Sequence, residues 1–143
     1  MDTAHVLSVF REAMWGGDAR PFESLLEAGL SPNLVAHDWD GCTLLMRASF
    51  SRFSLVELLL RKGAATELVE SRKWTALMFA VSIDIHLCAA DESVQIVKIL
   101  LQYGAITTHI NAEGVSAIQL LNMQTSRPEH VAAIAKMLSD KSP

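Results

Sequence analysis

The sequence predicts an all-α solenoid of stacked helix pairs, and three observations predict it. The segments "FESLLEAGLSPN" (22–33), "LVELLLRKGAAT" (55–66) and "IVKILLQYGAIT" (96–107) are one phrase written three times: an amphipathic helix end, a Leu-Leu pair, then x-x-Gly. The segments "GCTLLMRAS" (41–49) and "KWTALMFAV" (73–81) share Thr-x-Leu-Met-x-Ala, with Thr43 and Thr75 lying 32 residues apart. Gly29, Gly63 and Gly104 follow one another at 34 and 41 residues, near the period of about 33 that marks a helical repeat.

Each element follows from local chemistry. The chain opens on a helix that ends near Trp15 and Gly16, and a second helix runs into the Leu-Leu phrase before Gly29. A glycine there suits a left-handed helix cap, where a side chain would clash. The turn "DWDG" (38–41) follows, then Thr43, whose hydroxyl suits an N-cap because it accepts from orphan backbone donors. The next unit repeats the pattern from Thr75, and the last from "NAEG" (111–114) and Ser116. The third unit is about eight residues too long for a period near 33. The surplus falls in "SIDIHLCAADES" (82–93), which is expected to lengthen the first helix of that unit and then protrude as a loop. In the last helix Val131, Ile134, Ala135 and Leu138 form an i, i+3, i+4, i+7 stripe that can close the core, and Pro128 suits its first turn. One such unit cannot bury its own apolar face and must stack on neighbours.

These residues resemble the ankyrin-repeat family. Asp38, Gly41, Thr43, Leu45, Ala48, Leu59, Leu60, Gly63 and Ala64 match the family pattern one by one. The resemblance implies a single domain over 1–143, in four units at about 3–37, 38–69, 70–110 and 111–140, with an inter-helix insertion in the third. The family Pro is replaced by Leu44, Ala76 and Ala117, and the family His by Met46, Met78 and Gln119. The inter-repeat hydrogen bonds of such a His are therefore expected to be missing, and stacking to rest on adaptable Met and Leu packing.

Composition narrows the function classes. The 143 residues are half apolar, enough for a core. A net charge of −4 argues against a nucleic-acid binder, which shows a basic face. The N-terminus lacks the basic region of a signal peptide, and no apolar run is long enough to span a bilayer. Cys42 and Cys88 allow a disulfide, but a reduced, cytoplasmic protein is the better fit.

Catalytic constellations are not evident. His37, Asp38 and Asp40 fall together, but Asp38 suits a turn and Asp40 suits solvent. His86, Cys88, Asp91 and Glu92 match no standard zinc spacing, and Asp91 suits a helix cap. There is no phosphate loop and no hydrolase or zinc-protease motif. The sequence thus leads us to expect no enzyme and no cofactor.

The resemblance implies that a partner protein meets the turn tips and the ends of the first helices, on the concave face. Carried over residue by residue, that surface takes Trp15, Trp39, Asp40, Cys42, Phe50, Arg72, Trp74, Ile83, Glu113 and Met123. All three Trp fall in this set, and Trp is the residue most enriched at interface hot spots. Local packing of Trp15 or Trp39 is the plainer alternative. Asp38, Asp40, Glu70, Asp84 and Glu113 suggest an acidic rim, interrupted by Arg47, Arg72 and Lys73. The expected function is specific protein binding by a stand-alone domain, monomeric when free, as an inhibitor, an immunity-type antidote or a small adaptor. The alternatives are an enzyme or metal protein built on 82–93, and a self-associating structural subunit.

Overall fold

The structure, a computed structural model, describes residues 2–36, 40–50, 52–82, 90–123 and 128–141. They form α1 (Thr3–Met14), α2 (Arg20–Glu27), α3 (Leu44–Ala48), α4 (Phe53–Arg61), α5 (Ala76–Val81), α6 (Ala90–Gln102), α7 (Ala117–Asn122) and α8 (Pro128–Lys141). Successive helices pack as pairs: α1 on α2, α3 on α4, α5 on α6 and α7 on α8. The pairs stack in two rows. The first helices α3, α5 and α7 follow one another, as do the second helices α4, α6 and α8. The architecture is all-α and ankyrin-like.

The repeated phrase is a cap. At the end of α2 the N–H of Leu30 reaches the carbonyl of Leu25, at α4 Ala64 reaches Leu59, and at α6 Ala105 reaches Leu100, each at 3.0 Å. The glycine one residue earlier has a left-handed backbone, with φ of 108°, 94° and 89° at Gly29, Gly63 and Gly104. This is the Schellman geometry, which satisfies carbonyls the helix leaves orphaned. Its carbonyl acceptor is the first Leu of each pair. The side chains of Leu59 and Leu100 are fully buried between the helix rows.

The first helices start as their Thr and Ser predict. Thr43 accepts from the N–H of Met46, Thr75 from that of Met78 and Ser116 from that of Gln119. Gln119 returns the bond to the N–H of Ser116 at 2.9 Å, and the thioether of Met46 stands in the same position at 3.4 Å from the N–H of Thr43. At two of the family His positions, Met46 and Gln119 thus still close the capping box from the far side.

The stack is tied through main chain. The N–H of Ser71 donates to the carbonyl of Asp40 at 3.1 Å, and the N–H of Ala112 to that of Arg72 at 2.9 Å. Asn33 adds a side-chain link, accepting from Ala65 at 2.8 Å. In α8, Ile134 and Leu138 are buried while Val131 and Ala135 are half-buried, so its stripe does close on the core.

The extra length of the third unit is handled differently from the expectation. α5 stops at Val81 and is six residues long, as α7 is, so the first helix is not lengthened. Instead α6 starts at Ala90 and has 13 residues against nine in α4. Ala90–Ser93 thus join the second helix, where Glu92 finds a partner on α4. The expected loop, residues 83–89, lies outside the described residues, with His86 and Cys88 in it. No helix among the described residues is long and apolar enough to cross a membrane.

Candidate functional site

The middle turn shows how the sequence shapes this surface. The N–H of Lys73 donates to the carbonyl of Glu70 at 2.9 Å, and that of Glu70 to Trp74 at 3.2 Å. Asn111, Gly114 and Val115 repeat both bonds at 3.0 Å in the next turn. Each is a tight hairpin with a left-handed residue at its end. The Glu70 carboxylate fixes the turn from inside, accepting from the N–H groups of Arg72 (2.7 Å) and Trp74 (3.0 Å). Asn111 does the same for Glu113 and Val115 through its amide oxygen.

From this turn a chain of aromatic contacts runs inward. The Arg72 guanidinium lies 5.1 Å from the Trp74 ring, Trp74 lies 5.2 Å from Phe79, and Phe79 lies 4.9 Å from Phe50. The contact between Phe79 and Phe50 crosses from the third helix pair to the second. Trp74 and Phe50 are half-buried and pack against the core. The indole N–H of Trp74 is buried without a hydrogen-bond partner. At the N-terminal end a groove of about 230 Å³ is lined by Phe10, Arg11, Met14, Trp15 and Arg47.

The residues expected to meet a partner fall into distinct groups. Trp15 and Met123 are 73% and 69% exposed, an unusual display for such large apolar side chains. Asp40, Arg72 and Glu113 stand in solvent on three turns. Phe50 and Trp74 are half-buried. Cys42 requires correction: it is only 7% exposed and packs as a small apolar side chain within the hydrophobic core. Burial pushes its thiol up, and Arg47 offsets this in part. It is a free thiol. Trp39 and Ile83 lie outside the described residues.

The rim needs a second correction. The Glu70 side chain is 1% exposed and works inside its turn, and Asp38 and Asp84 lie outside the described residues. The described tips therefore carry Asp40, then Arg72 and Lys73, then Glu113. Sequence reasoning also missed a row of aliphatics. Val35, Val69 and Ile110 are all exposed and all stand six residues after a cap glycine. Val35 and Ile110 bridge Thr43 and Ser116 at the bases of their turns. The shared offset from Gly29, Gly63 and Gly104 was the signal that could have found them.

No protein-family model matches the chain. A protein of Rickettsia bellii (strain RML369-C), named as an ankyrin repeat protein, is 34% identical along an alignment 125 residues long that covers 82% of this chain. The chain spans 31% of that relative's length.

Proposed function

We propose that the chain, whose repeat pattern and stacked helix pairs resemble the ankyrin-repeat family and which is similar to a relative named for it, binds one protein partner through the face carrying the turn tips and first helices, and blocks that partner. Inhibitor or immunity-type antidote is the preferred role, small adaptor the second, and the cytoplasm the proposed site of action. The observation that carries the reading is Trp15. A tryptophan exposed to 73% beside an apolar groove contributes little to the fold, yet offers the residue type that dominates interface hot spots.

The test is capture from native cells with the wild-type chain and with Trp15→Ala, followed by mass spectrometry and measured affinity. Trp15→Ala is expected to weaken binding by about 2 kcal/mol or more, with the denaturation midpoint unchanged. Trp74→Ala is expected to lose both affinity and stability, because one side of its ring packs on Phe79. Adding the chain in equal amount to the captured partner separates the roles: a blocked activity supports an inhibitor, an unchanged one an adaptor. Equal capture by the wild type and Trp15→Ala would remove Trp15 from the interface.

A further inference from the structure

On the reading that this face binds a protein, we propose that Arg72 and Lys73 form a carboxylate-recognising tip and that the partner presents an acidic segment to it. The first observation is a backbone conformation. Lys73 has φ of 62°, in the left-handed region, whereas the same place in the neighbouring turns is held by Gly41 (φ 83°) and Gly114 (φ 77°). A side chain there is strained and glycine is not. Lys73 is exposed, and among the described residues no carboxylate pairs with its ammonium. Strain retained at a surface position without structural return points to a contact made elsewhere.

Arg72, its neighbour, is held ready. Its guanidinium lies over the Trp74 ring and its Nε meets Glu70 at 3.4 Å. Its side chain is still 56% exposed. A fork fixed in this way loses little freedom when it meets a carboxylate, and its planar geometry suits one. The main chain of the tip is fixed as well: the Arg72 carbonyl accepts from Ala112, and that of Lys73 meets Nε2 of His109, each at 2.9 Å.

Charge then selects the occupant. The described turns read acidic, basic, basic, acidic, from Asp40 through Arg72 and Lys73 to Glu113. An acidic segment on the middle turn, flanked by basic residues, satisfies all three. A uniformly basic partner is repelled in the middle and a uniformly acidic one at both ends, and the chain's net charge of −4 disfavours a nucleic acid.

The test screens a random-peptide display library on the immobilised full chain, then measures a synthesised binder against Lys73→Gly and Arg72→Gln. Enriched peptides are expected to carry Asp or Glu and to lose affinity with salt. Lys73→Gly is expected to weaken them by about tenfold while raising the denaturation midpoint, a pairing of effects that a structural lysine would not give. Peptides without acidic enrichment, or peptides indifferent to Lys73→Gly, overturn the assignment. Peptides that need Trp15 but ignore Lys73 overturn this proposal alone and leave protein binding standing. A library that yields nothing on a chain that also captures no cellular protein overturns both. Equally tight, Lys73-dependent binding of a single-stranded oligonucleotide would reassign the tip to phosphate and overturn the carboxylate reading.

Discussion

The carboxylate of Glu92, on α6, accepts a hydrogen bond of 2.8 Å from the backbone N–H of Phe53, the first residue of α4. α4 has no side-chain cap of its own: Arg52 stands at the cap position and makes no such bond. The next helix pair supplies it instead, and an anion at a helix N-terminus also meets the positive end of the helix dipole. Arg52 turns the other way, and its Nε donates to the Met14 carbonyl at the end of α1 at 2.7 Å. Two consecutive residues thus clasp the helix pairs on either side.

Glu92→Ala is expected to destabilise the chain by about 1–2 kcal/mol, the usual worth of an N-cap. Glu92→Gln should lose less, since its amide oxygen still accepts. Urea denaturation of both variants checks this. Equal midpoints for wild type and Glu92→Ala would show that water replaces the bond at no cost.

Glu70→Ala leaves the N–H groups of Arg72 and Trp74 without their acceptor. A loss of about 1–3 kcal/mol is expected for unsatisfied, part-buried donors. Glu70→Gln should be milder, because Asn111 performs the same task in the next turn with an amide oxygen. Thermal unfolding of the pair measures the difference, and similar losses in both would assign the effect to charge rather than to the acceptor.

Leu59→Ala and Leu100→Ala remove fully buried side chains from the centre of the stack. Each is expected to cost about 2–5 kcal/mol, the transfer and cavity cost of such a truncation. Midpoints matching wild type would contradict the packing of both residues.

Cys42 links stability to pH. Burial holds its thiol above the ordinary range, so the folded chain keeps that proton when the unfolded chain releases it. Its contribution is fully present below the ordinary thiol pKa and is lost as pH rises from there through the raised value. In a Cys88→Ser background, Cys42→Ser should therefore flatten the decline of stability in alkaline solution. Folded Cys42 should also alkylate far more slowly than the urea-unfolded chain. Equal rates would place the thiol at the surface.

The repeat core was legible because its signals are local. The Leu-Leu-x-x-Gly phrase encodes a cap that depends on six consecutive residues, and Thr43, Thr75 and Ser116 bond within their own first turns. The surface was less legible because exposure there is decided by the neighbouring turn. Cys42, Trp74 and Val115 share one register, yet Cys42 is buried while the other two are half-buried. Glu70 looked like a solvated acid until its turn closed around it. The start of α6 lies at Ala90, just ahead of the cap expected at Asp91, and the sequence did not show that Glu92 there reaches Phe53, a residue 39 positions earlier.

The bonds from Ser71 to Asp40 and from Ala112 to Arg72 run from amide to carbonyl and use no side chain. Spacing and identity are therefore written in separate alphabets along this edge. Main chain sets the pitch at which the tips repeat, whatever letters occupy them. Ser71, Ala112 and Glu113 are expected to tolerate exchange for any residue but proline with effects within about 0.5 kcal/mol, so the surface of this edge can be rewritten without relearning how to fold.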